Sequence, residues 1–298
     1  MSKIHVLDLN FLNLPHTIAS FLVESSEGPI LIETGPHSTI QAMEKGLMEY
    51  GYKIEDIKHV FLSHIHLDHA GAAWVFAEHG AKIYLHPFGA KNMEDPSRLM
   101  ESATRIYGDK MDQLWGQMKK IPRAQLIEVG DQEVIQIGDV SLKSFHTPGH
   151  AKHHIAWQLE DVIFTGDVAG VKIDGGIVVP PCPPPDINIE DWKSSIELIR
   201  SLNPKKLYLT HFDKIENINE HLNSLEAILD NWTAWIQEHW EAGETHEEMV
   251  PQFMAHVAGQ LREVGLTESD IQLYEAANPS WMSVAGLVRY WKKKLESK

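Results

Sequence analysis

The sequence predicts an α/β fold with a helical extension at its C-terminal end, and two observations carry that prediction. From the start to about residue 213, short β-rich apolar runs alternate with helical stretches. Beyond about residue 214 the strand signal stops and apolar residues recur at helical spacing. The chain therefore divides into residues 1–213 and a helical extension over 214–298. Its 298 residues allow a large buried core.

Val6 to Leu9 and Ile18 to Val23 read as strands, and Gly28-Pro29 turns the chain into a third, Ile30 to Ile32. Residues 38–50 read as a helix capped by Ser38 or Thr39, Val60 to Ser63 as a strand, Ala72 to Ala77 as the buried stripe of a helix, and Lys82 to Leu85 as a strand ending at His86-Pro87. Residues 92–120 are helical and Met-rich, with Asp95-Pro96 as a helix start and the methionines as core filler. Strands return at 126–129, 133–137, 140–145, 155–159 and 162–165. Proline crowds Val179 to Asp186, which must be loop. Its simplest reading is a rigid connector, and its position also permits a wall of the site. A helix over 188–202 and a strand from Lys206 to Thr210 follow, and His211 sits at that strand's end. In the extension, Trp232, Trp235, Ile236 and Trp240 form one stripe, and Asn278-Pro279 opens a last helix carrying Trp281, Val284, Leu287, Val288 and Trp291. These stripes are most simply core, with a lid over the site or a homodimer face as the alternatives.

Charge and composition restrict the function classes. A formal charge of −16 repels a phosphate backbone, so nucleic acid is a disfavoured partner. No run approaches the roughly 18 apolar residues of a membrane span, and the N-terminus lacks a signal-peptide apolar core, so the expectation is a cytoplasmic protein with no membrane partner. The single cysteine, Cys182, has no partner for a disulfide and no zinc-finger or redox spacing.

The densest chemistry lies at residues 63–71, where His64, His66, Asp68 and His69 crowd a loop between an apolar strand and a helix. Imidazole and carboxylate together suit zinc, iron or manganese. Alternate positions of an extended segment point the same way, so His64 and His66 can share one ion, leaving Asp68 and His69 to a second. Three further candidates end apolar runs: His150 in Thr147-Pro148-Gly149-His150, Asp167 in Thr165-Gly166-Asp167, and His211 in Leu209-Thr210-His211.

In order and local context these motifs resemble the metal signature of the metallo-β-lactamase superfamily, over roughly residues 5–213. The resemblance implies an αββα sandwich of two mixed sheets with a binuclear site at one edge. It assigns His64, His66 and His150 to the first metal and Asp68, His69 and His211 to the second, and makes Asp167 a bridge. Two departures stand out: Glu33 occupies a position where many relatives have aspartate behind the site, and residues 214–298 match no superfamily-wide motif. His154 occurs where glyoxalase-II-like and lactonase-like relatives also carry histidine, which makes it a support for a ligand. His153 replaces the glycine usual before it. His86 is either a strand-terminal surface residue or a cleft residue, and His16, His37 and His59 are ordinary histidines.

The implied activity is metal-dependent hydrolysis of a small-molecule ester, thioester or lactone, in which a hydroxide shared by two divalent ions attacks and Asp68 serves as the catalytic residue that positions it. Zinc is the first choice of metal, with iron or manganese as alternatives. No serine elbow or paired cysteine competes. An iron-binding redox enzyme or ligand-binding effector is the alternative class, as in quinolone-signal response proteins, which resemble this chain in their C-terminal helices. A phosphodiesterase is the second alternative. Substrate choice is expected to lie around residues 88–120 and 170–187 and in the terminal helices.

Overall fold

A computed structural model of the chain describes residues 2–212 and 214–296. The boundary read at residue 213 therefore falls on a residue outside those described. Two six-stranded sheets form the centre. The first runs in chain order: β1 (Ile4–Asp8), β2 (Ala19–Ser25), β3 (Gly28–Ile32), β4 (His59–Phe61), β5 (Lys82–Leu85) and β6 (Leu126–Glu128). β1, β2 and β3 form an antiparallel meander, and β3 to β6 are parallel. The second contains β7 (Val134–Ile137), β8 (Val140–His146), β9 (Ile155–Leu159), β10 (Val162–Phe164), β11 (Lys206–Tyr208) and β12 (Lys214–Ile215). Only the β10–β11 pair is parallel there.

Strand alternation divides the apolar residues between two faces. Phe21, Ile30, Ile32, Phe61 and Tyr84 of the first sheet meet Leu142, Ile155, Trp157 and Phe164 of the second in one core between the sheets. Trp157 is fully buried, lies edge-on to Phe61 at 5.0 Å, and donates its indole N–H to the Leu62 carbonyl at 3.0 Å. A side chain of this size contributes on the order of 2–3 kcal/mol by burial. The opposite face of the first sheet, with Leu31, Val60 and Ile83, packs on the helices α1 (Ile40–Glu49), α2 (Leu67–Ala70), α3 (Ala73–Glu78) and α4 (Pro87–Glu94). The outer face of the second sheet carries α7 (Ile189–Ser201), reached after α5 (Ser97–Tyr107) and α6 (Met111–Leu114), which cover the cleft described below. The result is the αββα sandwich that the resemblance implied.

The C-terminal segment forms α8 (Ile218–Glu241), α9 (His246–Glu263), α10 (Glu268–Ala277) and α11 (Ser280–Glu296). These helices share one continuous core with the second sheet: Leu225, Trp232, Phe253, Val284 and Leu287 pack in the same cluster as Ile163, Leu207 and Trp192. Trp232 is therefore core, as its stripe suggested. No helix among the described residues is long and apolar enough to cross a membrane.

Two readings of the sequence need correction, and a third is decided between its alternatives. A strand does follow residue 213, since Lys214 and Ile215 extend the second sheet beside β11; two residues are too few to show a periodicity. Residues 87–94 form a helix that the strand ending at His86-Pro87 obscured, with Pro87 in its first turn and His86 as its cap. The Pro-rich segment is a wall of the site as well as a connector.

Candidate metal centre

All seven candidate residues lie at one edge of the sandwich, on the segments that follow β4, β8, β10 and β11, with Asp68 and His69 in the short helix α2. The edge is sealed by backbone hydrogen bonds across the sheets, from Ile155 N–H to the Ser63 carbonyl and from Ala19 N–H to the Thr210 carbonyl, each 2.7 Å. His66 caps the short helix α2 in extended conformation, which turns the chain so that Asp68 and His69 project from the helix while His64 and His66 precede it. Gly166 has a φ of +50°, and a Cβ there would stand 2.5 Å from Ser63 Oγ and 2.6 Å from His154 Nε2. Only glycine lets the Asp167 loop come this close.

The side chains converge as three overlapping groups, each with its donor atoms within 4.8 Å of one another: His64, His66 and His150; His64, His69 and Asp167; and Asp68, His69 and His211. His66 Nδ1 is 2.9 Å from His64 Nε2 and 3.0 Å from His150 Nε2. Asp167 lies between the first and third groups, 3.2 Å from both His69 Nε2 and His150 Nε2 and 3.5 Å from His211 Nε2. Asp68 is 3.4 Å from His211 Nε2 and 3.8 Å from His69 Nε2.

Surrounding groups fix the imidazoles through their other nitrogens, as metal-binding histidines require. His150 Nδ1–H donates to the Pro181 carbonyl and His211 Nδ1–H to the Thr17 carbonyl, each at 2.8 Å. His64 Nδ1 is 2.9 Å from Ser63 Oγ. Glu33, held at a φ of +64°, accepts from Ser63 N–H at 3.1 Å and places its second oxygen 3.5 Å from His69 Nδ1. The glutamate thus supports the site despite its extra methylene. His154 takes the supporting role expected of it: Nε2 accepts from Asp167 N–H at 3.1 Å, so Nδ1 carries the proton and donates to Thr147 Oγ1 at 2.8 Å.

The electrostatics differ across the centre. Burial, aided by mutual repulsion, lowers His64 well below the usual histidine range and takes His66 to about 3; burial also lowers His150. This trio offers neutral nitrogen lone pairs. Burial opposes charge on His69 and His211 too, but the carboxylates of Asp167 and Asp68 outweigh it and raise both imidazoles. Burial likewise opposes ionisation of Asp68, yet His69 and His211 hold it at about 2, and the buried Asp167 is lowered by the same histidines and His150. The buried atoms His69 Nε2 and Asp167 Oδ1 face each other without a hydrogen bond. Convergent imidazole and carboxylate donors with unpaired atoms at their centre fit a divalent cation.

The centre forms the floor of a cleft of about 510 Å³ whose walls are largely apolar. Tyr107 of α5, Trp115, the Pro183 to Pro185 stretch, and Trp281 and Met282 of α11 line it. Tyr107 stacks edge-on with Trp115 at 5.2 Å and with Trp281 at 5.7 Å. Sequence reasoning placed substrate choice in these segments and allowed the stripe that carries Trp281 to form a lid over the site, but it did not single out Tyr107 or Trp115, which carry no motif. His86 is not part of the cleft lining; its Nδ1 accepts from Phe88 N–H, and its ring stacks on His146 at 4.3 Å. His16, His37 and His59 likewise lie outside the ligand groups. Cys182 is buried, which pushes its thiol pKa up and leaves it inert.

The fold and this edge site define the class. The family model of the metallo-beta-lactamase superfamily matches residues 14–211, and the chain belongs to that superfamily. Among curated relatives it is 28% identical over 225 residues to the metallo-beta-lactamase fold-containing protein ST1585 of Sulfurisphaera tokodaii, covering 70% of this chain and 83% of that protein. It is 23% identical over 224 residues to the atrochrysone carboxyl ACP thioesterase of Aspergillus fumigatus, covering 70% of this chain but only 44% of the relative. The crystal structure of the metallo-beta-lactamase family protein TTHA1429 from Thermus thermophilus superposes with a TM-score of 0.65 at 19% identity, over 98% of this chain and 93% of that one. That likeness is one of fold, and its coverage takes in the C-terminal helices.

Proposed function

We propose that the protein is a binuclear metal-dependent hydrolase of carboxylic esters, thioesters or lactones that carry an apolar acyl group. The observation that supports it best is the convergence of seven acid and imidazole side chains, five of which, His66, Asp68, His150, Asp167 and His211, line the floor of an apolar cleft. His64, His66 and His150 would hold one ion, Asp68, His69 and His211 the other, with Asp167 between them; zinc is the first candidate. Bound divalent ions supply Lewis acidity and bring the pKa of a bound water towards neutrality, to about 7 for a single catalytic zinc.

The chain's own residues do the rest. The acyl group lies against Tyr107, Trp115 and Trp281, which bury its apolar surface and exclude water. Asp68, 22% exposed to the cleft and ionised at neutral pH, orients the attacking water, takes its proton on a carboxylate oxygen and passes it to the leaving oxygen or sulfur. The relation to an acyl-thioester hydrolase agrees with this chemistry. Apolar walls and the charge of −16 favour a carboxylic ester over a phosphodiester.

The test is elemental analysis of protein purified without added metal, followed by assays on thioesters, lactones and phosphodiesters before and after chelation. Zinc in the protein, with acyl-ester turnover that chelation removes and zinc restores, is the expected result. Iron with oxygen uptake, or full turnover in the stripped protein, would overturn the proposal.

A further inference from the structure

The imidazoles around the centre share a property that one lacks. His64, His66, His150, His154 and His211 each have a ring nitrogen within 3.0 Å of another group, and His69 lies 3.2 Å from Asp167. Among the described residues, His153 has no hydrogen bond at either nitrogen. Its Nδ1 is sealed without a partner, and the residue is only 6% exposed. What exposure remains is to the cleft, whose lining it forms with His66, Asp68 and Asp167. Its ring lies 5.7 Å from His66 and 6.1 Å from His64, beside the first ligand trio yet outside every ligand group.

Sealing Nδ1 decides where the proton sits. A buried N–H with no acceptor is costlier than an unused lone pair, so the proton belongs on Nε2, the nitrogen the cleft can reach. Among the described residues this histidine has ring contacts but no hydrogen-bond partner, so the donor is left to a molecule in the cleft.

We propose that His153 is a catalytic residue whose Nε2–H donates a hydrogen bond to the substrate's acyl oxygen. The inference rests on the ester-hydrolase reading of the site. When the water oxygen bonds to the acyl carbon, the carbonyl π pair moves onto the acyl oxygen, and the His153 hydrogen bond stabilises that charge without transferring a proton. Collapse restores the carbonyl and breaks the bond to the leaving oxygen or sulfur, which takes up the proton the water gave to Asp68. A donor placed where charge develops acts mainly on the transition state, so its loss lowers kcat more than it raises KM.

His153→Phe keeps the ring's bulk and removes the donor; His153→Gln restores one. With p-nitrophenyl butyrate and zinc-loaded protein, His153→Phe should lower kcat by about 100-fold, change KM by less than about threefold and leave zinc content as in wild type. His153→Gln should recover about tenfold of that loss. An unchanged kcat in His153→Phe, loss of zinc in that variant, or no recovery with Gln would each overturn the inference. Nitrogen-15 NMR of the metal-free protein gives a readout independent of turnover: a His153 proton on Nε2 supports the inference, and a proton on Nδ1 overturns it. Wild-type protein inert towards esters, thioesters and lactones alike would count against the hydrolase reading, while the NMR result still decides the tautomer.

Discussion

Replacing Glu33 by Gln tests the support behind the centre in a way that can be worked through donor by donor. Glu33 is 1% exposed, accepts from Ser63 N–H at 3.1 Å through one oxygen, and faces His69 Nδ1 at 3.5 Å with the other. A carboxylate can accept from both, whereas an amide offers one acceptor and one donor. Without an ion, and at a pH above its raised pKa, His69 is neutral and can carry its one proton on Nε2, which lies 3.2 Å from Asp167 Oδ1, and accept from the Gln amide through Nδ1. An ion on Nε2 forbids that tautomer and forces a proton onto Nδ1. Two donors then meet, or the amide flips and Ser63 N–H loses its acceptor. An unpaired buried donor costs about 1–3 kcal/mol, and loss of such a partner lowers metal affinity about 10- to 100-fold. Competition against a zinc chelator should therefore show a Kd raised by about one to two powers of ten for Glu33→Gln, with little change in the thermal midpoint of the metal-free protein at a pH that leaves His69 neutral. A Kd within about twofold of wild type would refute the reasoning.

Further substitutions probe other parts of the account. In α11, a Cβ on Gly286 would stand 1.9 Å from the Cys182 carbonyl oxygen, so Gly286→Ala pushes the Pro-rich wall off the helix. It should lower stability by about 1–3 kcal/mol in denaturant unfolding, and an unchanged midpoint would contradict the packing. Trp281→Ala removes a cleft wall that contacts Tyr107 and should raise KM for long-chain acyl esters by about tenfold, or about 1.4 kcal/mol, with less effect on acetyl esters; equal effects on both would contradict the acyl placement. Burial, followed by repulsion from His146, lowers His86 from 6.5 to about 4, so below 6.5 the unfolded chain binds a proton that the folded chain refuses, and stability falls as pH drops through that window. His86→Asn keeps an acceptor for Phe88 N–H and should lose less thermal stability than wild type on that descent; equal losses would contradict the assignment.

Much of this architecture was legible because its signals are local. The candidate ligands follow apolar runs, and those runs are the strands at whose ends the seven side chains meet. The Lys82–Leu85 strand follows directly from a short apolar run before His86-Pro87, and the helix over Ser97–Tyr107 from the helix start at Asp95-Pro96. What escaped depends on contacts distant in sequence. Glu33 and His69 are brought together by the pairing of β3 with β4. The Pro-rich segment becomes a wall because His150 donates to the Pro181 carbonyl and Asn278 to the Pro180 carbonyl, neither of which composition reveals. Similarly, a helical stripe shows that Trp281 is apolar at the right spacing but not that it faces the cleft while Val284 and Leu287 face the core. His153 reads as one more histidine until its neighbours' hydrogen bonds have been accounted for.

The central claim is that these side chains hold a pair of divalent ions at the cleft floor. Anomalous diffraction at the zinc edge, from crystals grown with zinc, addresses it most directly. The account predicts one peak among His64, His66 and His150 and a second among Asp68, His69 and His211, with Asp167 between them. No peak at that edge of the sandwich, or zinc bound only at surface residues elsewhere, would contradict it.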